Sequence, residues 1–288
     1  MTAPLPVEIS PRYCLSHAAD LTAGCTFGCI YCPFADANAR RRGVVRPTVL
    51  DPATVEAPPT LFLSPASDAF APQAAASTHE LLRRVLPRGT VVGIVTKGVI
   101  PDDTVALLAA YREQIEGVAV GVTSLDDARN RRLEPGCPPA EVRLRNIERL
   151  SARRLVVAAR LDPLMPDLDD APEALERVVD EAARRGALGI TASYVMGWGR
   201  ALRRMRREPL LANALAWLTE RTPVQGGMAF GVPVTRKLVT YSHLATLART
   251  RGLHFSICGC KDVLLRGTTE FSTSCRNTWF LAERGLQS

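Results

Sequence analysis

Short apolar runs rich in Val and Ile recur along this chain, and between them lie longer stretches whose apolar residues return every three or four positions. The short runs read as buried strands and the longer period as amphipathic helices, so the alternation predicts a parallel sheet covered by helices. The predicted strands are 16–22, 60–64, 90–96, 118–123, 155–161 and 188–195; the predicted helices are 78–86, 103–114, 140–151, 172–185 and 201–222. Pro101-Asp102-Asp103 and Asp169-Asp170-Ala171-Pro172 place acids and proline where the first turn of a helix has unpaired N–H groups. Gly186 stands where a helix would end. Six such units predict an α/β fold, a partial (β/α)6 barrel of TIM type, with function on the loops at the C-terminal ends of the strands. From residue 223 the rhythm changes: "VQGGMAFGVPV" is Gly-rich, a helical stretch follows at 237–251, and "LHFSIC" reads as another strand. The expected organisation is a barrel over 1–222 and a C-terminal extension over 223–288.

Of the 288 residues 47% are hydrophobic, enough to bury a full core. The opening MTAPLPVEIS has neither a basic n-region nor an apolar h-region, and no run of about 18 apolar residues occurs. The expected setting is cytoplasmic, without a membrane partner. Thiols stay reduced there, so eight cysteines point to metal or catalysis before disulfides. The net charge of +7 raises the question of an anionic partner. Only Lys97, Lys237 and Lys261 among the 36 basic residues are lysines; the arginines read as solvated helix faces, and a nucleic acid is not the expected partner.

"CTFGCIYC", residues 25–32, places Cys25, Cys29 and Cys32 on the loop just past the first predicted strand. A structural zinc site would want a fourth Cys or His nearby, and none follows within the next forty residues. Three closely spaced thiolates instead wrap one corner of an iron–sulfur cube and leave one iron open to a ligand.

This pattern resembles the radical S-adenosylmethionine superfamily, whose signature is Cys-x3-Cys-x2-Cys with an aromatic residue before the last cysteine, here Tyr31. "VTKG", "VGVTSLDDARNRRLEPGCPPAEVRLRNIERL" and "ARLDPLMPDLDD" are similar to its spore photoproduct lyase-like branch over about residues 20–170. The resemblance implies a 4Fe–4S cluster on Cys25, Cys29 and Cys32, the residues that carry the catalysis, and S-adenosylmethionine on its open iron. It further implies that Lys97 pairs with the methionine carboxylate, that Thr123 or Ser124 contacts the same cofactor, and that Ser67 and Asp68 receive its ammonium with help from Ser64. A lysine, a mobile point charge, suits a single carboxylate. Val195, Met196 and Gly197, in "YVMGWGR", would pack the adenine. Photoproduct lyases carry a hydrogen-donating cysteine just before the Ser/Thr-Asp pair; this chain has Ser64-Pro65-Ala66 there, so photoproduct repair is not the expected reaction.

"SICGCKDVLLRGTTEFSTSCRN" holds Cys258, Cys260 and Cys275. If "LHFSIC" is a parallel strand, its end opens on the same face as the first triplet, and a second 4Fe–4S cluster is expected, with zinc or ordinary buried thiols as the alternatives. Gly259 eases the turn that Cys-x-Cys needs to reach one site. No fourth ligand is evident: Cys14 belongs at the far end of the barrel, and Cys137 lies on the loop after the fourth strand. The arginines of "GRALRRMRREP" read first as a solvated helix face, Arg40-Arg41-Arg42 could hold a phosphate near the triplet, and His17 could line the barrel. The expected function is cleavage of S-adenosylmethionine to a 5′-deoxyadenosyl radical that takes hydrogen from a small nucleoside- or sugar-derived substrate, for sulfur insertion or another carbon–heteroatom rearrangement. A flavodoxin or ferredoxin-type protein would supply the electron. The rival readings are DNA photoproduct repair and a non-catalytic iron–sulfur sensor.

Overall fold

The computed structural model describes residues 9–12, 15–22, 24–35, 57–224 and 227–274. Its main sheet runs β1 (Ile9–Arg12), β2 (Leu15–Ala19), β3 (Thr60–Leu63), β4 (Val91–Thr96), β5 (Ile115–Gly121), β6 (Val157–Leu164), β7 (Gly189–Tyr194) and β10 (His254–Ile257), neighbours in that order. β1 pairs antiparallel with β2, and every later pairing is parallel. All seven residues of β5 are buried, as a central strand covered on both faces requires. Helices α1 (Ala75–Val85), α2 (Asp102–Ala110), α4 (Ala140–Ser151), α5 (Pro172–Arg184) and α8 (Val234–Thr250) bridge successive strands; the short α3 (Asp127–Leu133) precedes α4. In α5, Leu175, Val178, Val179 and Ala182 form one buried face at helical spacing, and Pro172 occupies the first turn. This is the α/β array that the sequence pattern predicts. Among the described residues no helix is long and apolar enough to cross a membrane.

Two departures have local causes. The predicted helix 201–222 is broken into α6 (Gly199–Met205), a 3₁₀ turn at Pro209–Leu211, α7 (Ala212–Ala216) and the strand β8 (Glu220–Val224). Pro209 cannot donate within a helix, and the carboxylate of Glu208 accepts from Leu210 N, which restarts the chain in a new direction. β8 then pairs with β9 (Gly227–Gly231) as a separate two-stranded ribbon, and a paired Gly197–Phe230 bridge ties the ribbon to the end of β7. The short α3 is the other departure: Asp126 caps it by accepting from Ala128 N and Arg129 N.

Parallel pairing sends the loops after β2, β3, β4, β5, β6, β7 and β10 to one edge of the sheet. The β10 loop is fixed from below by a buried ion pair. Lys237 of α8 donates to Asp262 Oδ1 at 2.7 Å, and Tyr241 OH donates to Oδ2 at 2.9 Å. Burial pushes the Asp262 carboxyl up, opposed by Lys237. Replacing Lys237 by Met strands a buried carboxylate and is expected to lower the unfolding free energy by about 3–5 kcal/mol, measured by urea denaturation. Lys237→Met/Asp262→Leu should recover most of that loss, whereas a single mutant within 1 kcal/mol of wild type would show that the pair does not anchor the loop.

Candidate functional site

The cysteine loop is held by its neighbours rather than by its own length. Ile30 N donates to Leu133 O at 3.0 Å and Gly136 N to Phe27 O at 2.9 Å, which docks the loop against the segment after α3. From the other side Arg204 of α6 donates to the carbonyls of Ile30 and Cys32. One arginine of the run after β7 is thus part of the cysteine loop's support.

Beneath the loop lies Glu134, a fully buried carboxylate that sequence reasoning did not single out. Tyr31 OH and Thr123 Oγ1 donate to its Oε1, and Arg143 donates to its Oε2. Lys97 Nζ stands 3.7 Å from Oε1 and donates to the carbonyl of Asp162 at 3.2 Å. Burial alone would raise the Glu134 pKa, but Lys97, Arg143 and Arg129 outweigh it and bring it to about 2. Burial likewise opposes the charge on Lys97, yet Glu134 and Cys29 hold its ammonium above the ordinary value. The stem of Lys97 passes over Gly121, where a Cβ would meet Lys97 Cγ at 2.6 Å, so β5 needs glycine at that crossing.

A cavity of about 310 Å³ opens above this network, at the lower end of the range for small-molecule pockets. Cys25, Cys29, Cys32 and Tyr31 line one side; Ser67, Asp68 and Lys97 line the β3–β4 side; Met196 comes from the end of β7; Cys258 and Cys260 come from the end of β10. Phe27, Phe34, Phe62, Val195 and Trp198 supply apolar wall. The loops therefore bring most of the sequence-predicted positions to one space, Gly197 and His17 not among them. Thr123 and Ser124 do not line it: Thr123 bonds Glu134 and accepts from Arg129, while Ser124 Oγ accepts from Asp126 N at 3.1 Å at the entry to α3. Cys14, Arg40, Arg41, Arg42 and Cys275 lie outside the described residues.

The polar side of the cavity is partly spoken for. Asp68 accepts from Lys97 N at 2.7 Å, Thr96 Oγ1 at 2.6 Å and Phe70 N at 2.9 Å, and burial raises its pKa against these donors. A carboxylate offers about four acceptor positions, so Asp68 retains capacity for one more donor. Ser67 Oγ donates to Asp20 at 2.9 Å. Ser64, with φ +54°, lines the cavity with a buried Oγ that has no hydrogen-bond partner among the described residues. On the β10 side Asp162 receives both Lys261 and Arg160; burial would raise its pKa, but the two cations hold it down. Burial, then Asp68, raises the Cys25 thiol, burial raises that of Cys32, and the hydrogen bond from Cys137, against the effect of burial, lowers that of Cys29.

These residues fit a thiolate-bound cluster with a zwitterionic ligand beside it. The donors from the loop are all soft sulfur, which suits iron–sulfur chemistry. The orphaned Ser64 hydroxyl, the spare acceptor position on Asp68 and the Lys97 ammonium offer contacts for opposite charges of one small ligand. Among the described residues no three Cys, His, Asp or Glu side chains close around a point as a single-ion site would.

Comparison with known proteins agrees on the architecture. A spore photoproduct lyase complexed with a dinucleoside spore photoproduct superposes with a TM-score of 0.68 at 15% identity, over 87% of this chain and 78% of that one. A radical S-adenosylmethionine methyltransferase from Kitasatospora setae, bound to tryptophan and an analogue of S-adenosylmethionine, gives 0.54 at 14% identity, over 80% and 51%. This chain shares its fold with both structures. No family model matches the sequence. An uncharacterized protein of Mycobacterium tuberculosis is 32% identical over 104 residues, 36% of this chain and 31% of the relative. An uncharacterized protein of Acidianus two-tailed virus is 26% identical over 129 residues, 44% of this chain and 42% of the relative. The matched stretch thus spans less than half the length of either curated relative.

The Glu134 network carries a pH signature. Its carboxyl sits below the 4.5 of an unfolded glutamate, so its stabilisation is complete above that value and is lost as pH falls from 4.5 toward 2. Glu134→Gln is expected to be less stable than wild type at pH 7, and the gap should shrink by about 3 kcal/mol between pH 5 and pH 2. A gap that does not change with pH in chemical denaturation would contradict the ionised, buried state of Glu134.

Proposed function

We propose that this protein cleaves S-adenosylmethionine reductively and uses the radical so formed on a small substrate held in the same cavity. One observation carries the reading: a single cavity is lined at once by the three loop cysteines, by Asp68 and Lys97, and by Met196. Cys25, Cys29 and Cys32 would hold a 4Fe–4S cluster; Asp68, with Ser64 and Ser67 beside it, would receive the ammonium of S-adenosylmethionine, Lys97 its carboxylate, and Met196 its adenine. When bound, the cluster and S-adenosylmethionine together supply a 5′-deoxyadenosyl radical that abstracts hydrogen from carbon. The protein's own part is placement and shelter. Glu134 keeps Lys97 charged and fixes Tyr31 beside the cysteines, while the apolar wall keeps water from a reactive centre.

Cys258 and Cys260 enter the cavity beside Lys261 and Asp162. Together with Cys275 we assign them to a second 4Fe–4S cluster, which favours sulfur insertion or a related carbon–heteroatom reaction on a nucleoside- or sugar-derived molecule. The electron would come from a flavodoxin or ferredoxin-type donor. Ser64-Pro65-Ala66 offers no thiol before Ser67-Asp68, so a dinucleotide photoproduct is not the substrate we assign.

Anaerobically reconstituted protein with a strong reductant is expected to form 5′-deoxyadenosine from S-adenosylmethionine, and Cys29→Ala to abolish it. Equal turnover in the variant would overturn the reading. In the same preparations Cys258→Ala/Cys260→Ala/Cys275→Ala should lower bound iron from about eight to about four atoms per chain while leaving deoxyadenosine formation in place. Unchanged iron, or stoichiometric zinc in the wild type, would remove the second cluster.

A further inference from the structure

Cys137 lies 108 positions from Cys29 in sequence, yet their sulfurs are 3.7 Å apart. It is not among the residues lining the cavity, so it touches Cys29 from outside that space. Its position is braced on both sides. Cys137 N donates to Glu134 O at 2.9 Å, closing the turn Glu134-Pro135-Gly136-Cys137, and Arg143 Nε donates to Pro138 O at 2.7 Å. Gly136 lets this turn press onto the cysteine loop: a Cβ there would meet Thr26 O at 2.7 Å and Phe27 Cα at 2.8 Å. Together with the Gly136–Phe27 and Ile30–Leu133 backbone bonds, this fixes the two loops as one unit. The sulfur contact is therefore set by backbone on both partners.

We infer that Cys137 is a positioning residue for the cluster, its S–H donating a hydrogen bond to the Cys29 sulfur when that sulfur is an iron-bound thiolate. The inference rests on the proposed reading of Cys25, Cys29 and Cys32. A thiol is a weak donor, but a metal-bound thiolate keeps lone pairs that accept. Each hydrogen bond to a ligand sulfur draws charge off the cluster and favours the reduced, more negative form, which raises its reduction potential. The buried Glu134–Lys97–Arg143 network behind the turn keeps the donor in place as the cluster changes charge.

The experiment is an anaerobic redox titration followed by electron paramagnetic resonance on wild type, Cys137→Ala and Cys137→Ser, with iron content and thermal melting measured on each. All three are expected to bind equal iron and to melt alike. Cys137→Ala should show a more negative midpoint potential than wild type. Cys137→Ser, whose hydroxyl still donates, should return most of the shift. Wild-type iron content with identical potentials in all three proteins overturns this inference alone. Loss of iron in Cys137→Ala to the extent seen in Cys29→Ala also overturns it, making Cys137 a ligand. Wild-type protein that takes up no iron overturns the reading of the site, and this inference with it.

Discussion

The buried carboxylate of Glu134 is the point on which separate parts of the chain converge. It sits among Lys97, Arg143, Tyr31 and Thr123, which come from the end of β4, from α4, from the cysteine loop and from the end of β5. A charge buried this deeply is tolerated only when opposite charges and donors surround it, and breaking such an arrangement is costly. The same set of bonds therefore makes two things one: the loop that carries the cysteines cannot leave its place without exposing or stranding the charge on Lys97. Asp68 extends the arrangement by gripping the backbone of Lys97 and the hydroxyl of Thr96. The cavity above inherits its rigidity from these buried bonds.

Away from the cavity, arginines tie the helices together through carboxylates. Arg185 reaches Glu141 and Glu148, Arg251 reaches Glu176 and Asp180, and Arg236 pairs with Asp167 and Asp170 while stacking on Trp217 at 4.0 Å. These contacts link α5 to its neighbours and α8 to the loop after β6. Arg185 and Arg236 are largely covered in these contacts, whereas most of the carboxylates they and Arg251 reach are exposed, and exposed pairs contribute little each.

The strands and the principal helices were legible because burial in a parallel sheet imposes short apolar runs and a helical period between them. The triplet of cysteines was legible because its members are local in sequence. Lys97 and Asp68 were reached through resemblance, and the structure adds why a lysine survives there: Gly121 yields it space and Glu134 its charge. Glu134 itself left no periodic signal, since its partners are scattered from residue 31 to residue 143 and only folding brings them together. The Cys29–Cys137 contact was hidden for the same reason. Pro209, by contrast, was visible in the sequence, but the apolar pattern around it outweighed the break it causes.

We propose above that the cavity over Glu134 takes a cluster and S-adenosylmethionine as one unit. The direct measurement is electron–nuclear double resonance on the anaerobically reduced protein with S-adenosylmethionine labelled with nitrogen-15 at its amino group and oxygen-17 at its carboxylate. Hyperfine coupling of both labels to the cluster is expected. A reduced cluster whose spectrum shows neither coupling, and is the same with and without S-adenosylmethionine, would contradict it.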